Sequence, residues 1–280
     1  MIAQNFDYAA PTTLEEALGL LSNENAKALA GGMSLIPIMK LRFAQPEQVV
    51  DLGRIPDLNY IREQGGEIHI GTMTTHYEIE SSALLRGQCP LLAEVAHHIG
   101  DTQVRNMGTL GGSAAHADPA ADYPAALFAL EAKLVLAKAG SERTIPVEQF
   151  FVDTFTTALE PGELIKEIIV PVEQNGTGTS YQKVQHPASG FAVVGVAARV
   201  HKSGSSINWA RIGITGLTGK AFRAMDAETA LTFGSVDDAA AKVADGVDAN
   251  SDLYASAEYR AHLARVYAAR ALRSALERAS

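Results

Sequence analysis

A single cysteine, Cys89, sets the first limit on this 280-residue chain. One thiol cannot close an internal disulfide, and it cannot supply the thiolates of a Cys-rich zinc site or of the usual iron–sulfur cluster. Long apolar runs are also missing: nothing approaches the ~20 residues that a membrane-spanning helix needs. The opening MIAQNFDYAAPTTLEEA has no basic region followed by an apolar one, so no secretory leader is expected and the chain reads as cytoplasmic. The sequon at Asn175 (NGT) then has no glycosylation to report. Clusters of Lys and Arg are absent, and a net charge of −9 argues against a protein that neutralises nucleic-acid phosphates.

Several chemical signatures are missing as well. The glycine-rich stretches contain no G-x-G-x-x-G, and no G-x-S-x-G elbow presents a serine nucleophile. GLTGKA, 216–221, is similar to a Walker A loop but lacks the first glycine and has Ala221 where Ser or Thr would hold magnesium. His97 and His98 are adjacent, so on a helix they point apart, and His116 with Asp118 has no further ligand in reach of the spacing. No metal site is expected, and no catalytic acid, base or nucleophile can be assigned.

What is present describes a globular protein, 47% apolar and 20% charged, long enough for two domains. Thr13 and Glu16 form a capping-box pattern, with Leu14, Ala17, Leu18 and Leu21 at helical spacing. AKALAGG reads as a strand entering a glycine turn, MSLIPIMKLRF as an apolar helix and EQVVDLG as a strand. The runs flanking Gly65–Gly66 form a hairpin, Thr75 and Glu78 cap a helix, and 90–99 is helical. Residues 100–119, rich in Gly, Asn and Asp, read as irregular, with helix returning in PAADYPAALFALEAKL and Pro119 near its first turn. KLVLA, ERTIPV and LIKEIIVP complete a mixed α/β region, and 172–180 has the composition of a linker or exposed loop. Beyond it, YQKV, GFAVVGVAARVH and NWARIGITGL are strand-like and a long helix follows, the order of a separate α+β domain.

Two stretches stand out, AGGMSLIPIMKLR (30–42) and TLGGSAAHADPAADYP (109–124). Each places a glycine pair ahead of a helical run. Such a turn suits a phosphate, because amides at the helix start point outward and no Cβ blocks approach; the same pattern also serves as a plain turn. Ser34 and Ser113, beside the glycines, can donate to a phosphate. Asp122 either accepts from a ribose or ribityl hydroxyl or stabilises a helix N-terminus. Lys183, alternating with Tyr181, either faces a ligand or is a solvated strand lysine.

With QVRNMG ahead of the second stretch, the pair resembles the two FAD-binding segments of the flavoprotein medium subunit of molybdenum hydroxylases, the group that includes bacterial carbon monoxide dehydrogenase and xanthine dehydrogenase. FDYAAPTTLEEAL at the start and SAEYRAHLARVYAARAL near the end extend the likeness over nearly the whole chain. The resemblance implies an α+β protein: a vanillyl-alcohol-oxidase-type (PCMH-type) FAD-binding domain at 1–173, made of two α/β subdomains at about 1–55 and 56–173, followed by a C-terminal sheet-plus-helices domain at 174–280. It implies that both glycine turns converge on one FAD pyrophosphate through their amides. By matching position it assigns cofactor contacts to Ala28, Leu29, Ala30, Gly31, Gly32, Met33, Ser34 and Leu35, and to Thr109, Gly111, Gly112 and Ser113. It adds Asp122 and Lys183, with Ile99 and Ile165 as apolar positions around the flavin. Many members have Asn where Ser113 stands, and an acid where QHPASGFA has Gly190.

The function implied is that of an oxidoreductase subunit with FAD as its own cofactor. A large molybdenum–molybdopterin subunit and a small subunit with two [2Fe–2S] clusters are the partners, in a dimer of heterotrimers, and an external acceptor takes the electrons. The lone cysteine agrees with clusters held by another chain. Two other readings are a stand-alone FAD-dependent oxidase or reductase of the same fold, and a non-enzymatic α/β binding or scaffold module in which the glycines are only turns. The first needs polar groups over the flavin, for which the C-terminal region is small; the second predicts no flavin.

Overall fold

A computed structural model describes residues 2–279. The chain opens with β1 (Asp7–Ala9), α1 (Leu14–Leu21), β2 (Ala26–Leu29), α2 (Leu35–Lys40) and β3 (Gln48–Asp51). β1 and β2 both pair parallel to β3, giving a small sheet of order β1-β3-β2 with the helices as crossovers. At the start of α1, Thr13 Oγ1 accepts the Glu16 amide while the Glu16 carboxylate takes the Thr12 amide, so the expected cap forms with one arm shifted by a residue. Ala17, Leu18 and Leu21 turn inward against Val50 and Leu52.

The second unit begins with the hairpin β4 (Ile61–Gln64) and β5 (Glu67–Gly71). Six helices follow: α3 (His76–Ser81), α4 (Ala83–Gln88), α5 (Pro90–His97), α6 (Thr102–Met107), α7 (Leu110–His116) and α8 (Tyr123–Ala129). Then come β6 (Lys133–Lys138), β7 (Ser141–Pro146), α9 (Val147–Phe150), β8 (Phe151–Asp153), β9 (Thr156–Thr157) and β10 (Leu164–Pro171). β10 returns to the middle of an antiparallel sheet of order β4-β5-β10-β6-β7. Two expectations are corrected here. Residues 100–119 are largely helical, because Asp101 and Thr109 each accept an amide from the first turn of the helix that follows, and Gly111 and Gly112 lie inside α7. Pro119 lies outside α8, and Pro124 occupies its first turn instead.

The third unit contains β11 (Thr177–Gln185), β12 (Ala192–Ser203), β13 (Ser206–Thr215), β14 (Phe222–Arg223), α10 (Met225–Phe233), α11 (Val236–Lys242) and α12 (Ala257–Arg278). Its four strands form an antiparallel meander in chain order. One face packs under the helices, where Val194, Val196 and Ile212 meet Ala264, Ala268 and Leu272. α8 is pressed against β13 so closely that a Cβ on Gly213 would lie 1.9 Å from the Ala125 carbonyl oxygen. This contact fixes the start of α8, and with it Asp122, relative to the last sheet.

Candidate functional site

The first glycine segment leaves β2 where Ala28 and Leu29 are paired with Val50 and Asp51. Gly32 then takes a φ of +74°, which an L-residue adopts only under strain, and this reverses the chain into α2. The amides of Gly31, Gly32, Met33, Ser34 and Leu35 donate to no other group among the described residues. Ser34 stands at the cap position of α2 without a side-chain cap bond, so its hydroxyl is free as well. A run of unpaired N–H groups at a turn, finished by a hydroxyl, is a cradle for an oxyanion.

The second segment is built differently. The amides of Leu110 and Gly111 donate to the carbonyls of Thr74 and Thr72, and the Gly112 amide donates to Thr109 Oγ1. The expectation that both glycine pairs offer free amides is therefore corrected: Gly111 is a glycine because a Cβ there would lie 1.6 Å from Thr72 Oγ1. Thr72 is tied in turn to the Lys166 carbonyl, one residue beyond Ile165 in β10. The second segment supplies close approach. A Cβ on Gly31 would fall 1.9 Å from the Met107 carbonyl oxygen and 2.7 Å from Gly108 Cα, and one on Gly112 would fall 3.3 Å from Ala30 Cβ. The two stretches thus meet backbone to backbone, with Ser113 and its unbonded hydroxyl one residue further into α7.

Asp122 and Lys183 form a third element. Lys183 Nζ donates to Asp122 Oδ2 at 2.9 Å and to the His98 carbonyl at 3.0 Å, and the Tyr181 hydroxyl donates to Asp122 Oδ1 at 2.5 Å. Asp122 precedes α8 but makes no cap bond; its carboxylate is turned sideways into this cluster. Burial pushes that carboxyl above its ordinary range, while the Lys183 charge and the Tyr181 bond act to hold it down. Burial and the Asp122 charge also carry the Tyr181 phenol well above its usual value. Ile99, half-buried at the end of α5, and Ile165, buried in β10, belong to the apolar mass behind these groups.

Other contributors escape the sequence patterns. Thr215 Oγ1 donates to the Pro119 and Ala121 carbonyls, and the Gly216 amide donates to Pro119, so the stretch leading to Asp122 is pinned to the end of β13. Arg260 of α12, 7% exposed, donates to the carbonyls of Val193 and Gly216 and pairs with Asp252. His76 lies under Gly108, where a Cβ would come within 2.5 Å of Nε2. Burial, with Arg105 nearby, lowers its pKa to about 4, so the imidazole is neutral. Cys89 is fully buried, and burial pushes its thiol up to about 12.

Comparison with known proteins bears on the whole chain. Residues 4–173 match the family described as FAD binding domain in molybdopterin dehydrogenase, and residues 179–275 match the CO dehydrogenase flavoprotein C-terminal domain. The carbon monoxide dehydrogenase medium chain of Hydrogenophaga pseudoflava is 40% identical, with 99% of each chain covered. The glyceraldehyde dehydrogenase medium chain of Sulfolobus acidocaldarius is 37% identical over 98% of this chain and 99% of that one. A solved structure of the Hydrogenophaga pseudoflava carbon monoxide dehydrogenase, in a form that lacks the Mo-pyranopterin moiety of the molybdenum cofactor, superposes over 100% of both chains with a TM-score of 0.97 and 41% identity.

Proposed function

We propose that the chain, which belongs to the FAD-binding medium subunits of molybdenum hydroxylases, is the electron-output subunit of such an enzyme. The observation that carries this reading is the meeting of the two glycine segments at Gly31 and Met107, beside a run of unpaired amides. FAD fits those residues, because a diphosphate needs several donors and no obstructing Cβ, and the cradle offers both. The amides of Gly31 to Leu35 and the Ser34 hydroxyl would hold the diphosphate, and Thr109 and Ser113 would close on it from α7. Lys183, Tyr181 and Asp122, locked to one another, would set a rigid polar wall. Bound FAD supplies redox chemistry that runs in one-electron or two-electron steps, which suits a junction between single-electron carriers and an external acceptor.

The chain contributes binding and orientation, and its single cysteine, Cys89, cannot supply the thiolates of an iron–sulfur cluster. Its one thiol is buried and held protonated, so any electrons this flavin draws from iron–sulfur clusters come from clusters on a partner. We assign those clusters to a small [2Fe–2S] subunit and substrate oxidation to a large molybdenum–molybdopterin subunit, in a cytoplasmic dimer of heterotrimers. Relatives named for carbon monoxide and for glyceraldehyde are similar to this chain over nearly its full length, which supports placing substrate choice in the large subunit. The test mixes the FAD-loaded chain, anaerobically, with iron–sulfur subunit that has been reduced and freed of reductant. Bleaching of the flavin band as the cluster bands return is expected; a flavin that stays oxidised beside reduced clusters contradicts the relay.

A further inference from the structure

At the other end of α8 from Asp122, roughly 13 Å away at the rise of a helix, the middle sheet and the last sheet leave a cavity of about 280 Å³ between them. Leu130, Val170 and Pro171 give it an apolar wall. Its opposite wall carries two arginines, with the Glu131 carboxylate beside them. Arg199 on β12 and Arg211 on β13 are direct cross-strand partners, an arrangement in which like charges ordinarily destabilise a sheet. Both guanidiniums lie over the Trp209 ring, at 4.7 and 5.4 Å from its centre, and His201 stacks on the same indole.

Arg199 is only 6% exposed, so its charge is removed from bulk water. Nε donates to both oxygens of Glu173, at 2.9 and 3.0 Å, but the two Nη atoms make no hydrogen bond among the described residues, and Nη1 lies 4.0 Å from Glu131 Oε2; the side chain lines the cavity. Arg211 Nη1 donates to the Ala210 carbonyl at 2.9 Å, while Nε, 2.8 Å from Glu131 Oε1, does not aim its N–H at that oxygen and finds no acceptor among the described residues. Glu131 sits in the left-handed region at a φ of 50°, unusual for a residue with a Cβ, and presents one carboxylate to Arg199, Arg211 and Arg223 together. The remaining charges are matched: Lys133 with Glu67, and Arg223 also with Glu228. The charges around the cavity balance, but the Nη atoms of Arg199 and the buried Nε of Arg211 are left without a hydrogen-bond acceptor among the described residues.

We propose that this cavity is a binding site for a phosphate-type oxyanion, distinct from the FAD cleft, with Arg199 and Arg211 as its ligands and Glu131 as the internal carboxylate that competes for them. Two forked guanidiniums match the several oxygens of a phosphate better than a single lysine would. The aromatic floor is already engaged by His201 and the arginines, so the site recognises the oxyanion rather than a ring attached to it.

Trp209 is the only tryptophan in the chain, so tryptophan emission reports on the surroundings of this one residue, which lines the cavity. The FAD-loaded full chain is titrated with inorganic phosphate at constant ionic strength, with potassium chloride as the balancing salt. A saturable change in Trp209 emission is expected. It should be weakened about tenfold or more by Arg211→Gln and tightened by Glu131→Gln, which removes the competitor. Arg211→Lys keeps the charge without the fork and serves where Arg211→Gln fails to hold flavin; it too should bind more weakly. No saturable change, an equal change with chloride alone, equal affinity for acetate, or unaltered binding in the folded Arg211 variant would each overturn the assignment.

Discussion

Lys183 and Asp122, 61 residues apart in sequence, form an ion pair whose side chains are 2% and 5% exposed, with Nζ 2.9 Å from Oδ2. Removing one partner strands the other as a buried charge, which typically costs about 3–5 kcal/mol. Asp122→Asn and Lys183→Met should each lower the stability of the chain by roughly that amount in urea unfolding. The double variant should be less destabilised than the sum of the two, because neither charge is then left alone. Strictly additive losses would show that the pair is not coupled.

Only part of this arrangement can be read from sequence. The first glycine segment is legible because its cradle is local: the strand, the turn and the helix start are consecutive residues. The second is misread as irregular, since what makes Gly111 necessary is Thr72, a residue far from it in sequence. Lys183 looks like a solvated strand lysine until Asp122 and the His98 carbonyl are brought to it by the fold. Arg260 looks like one more charge on a polar helix, yet it is among the most buried cations and pins the approach to Asp122. α10 and α11 go unrecognised because alanine-rich segments give little periodic contrast, although Ser235 and Asp238 form a complete capping box.

His76 gives the stability a pH dependence of defined sign. Its folded pKa is lowered from 6.5 to about 4 by burial, so between those values the unfolded chain binds a proton that the folded chain refuses. Stability from this group is fully present above about pH 6.5 and is lost as pH falls toward 4. At 1.36 kcal/mol per unit the loss between pH 6.5 and 5 is roughly 2 kcal/mol. Urea midpoints measured at pH 7 and pH 5 should differ more for the wild type than for His76→Gln. Parallel shifts in both proteins would assign the dependence to other groups.

Cys89 should be inert while the chain is folded. The thiolate is the reactive form, and a buried thiol pushed up to about 12 is almost entirely protonated at neutral pH. A thiol reagent such as Ellman's disulfide should label well under a tenth of an equivalent in native protein and about one equivalent in denaturant. Fast labelling of the native chain would show that burial does not hold this thiol protonated.

The most direct measurement is the flavin content of the chain expressed alone, wild type beside Gly31→Ala, read from the visible spectrum and from the mass of the compound released on denaturation. Wild type should carry close to one FAD per chain. In the variant a Cβ placed 1.9 Å from the Met107 carbonyl oxygen must push the two segments apart, and flavin affinity should fall by about tenfold or more while the fold is kept. Gly19→Ala, where a Cβ meets nothing within 4 Å, should leave flavin content unchanged. A folded wild-type chain that neither carries nor takes up FAD, or a Gly31→Ala chain that binds it as tightly as wild type, would contradict the account.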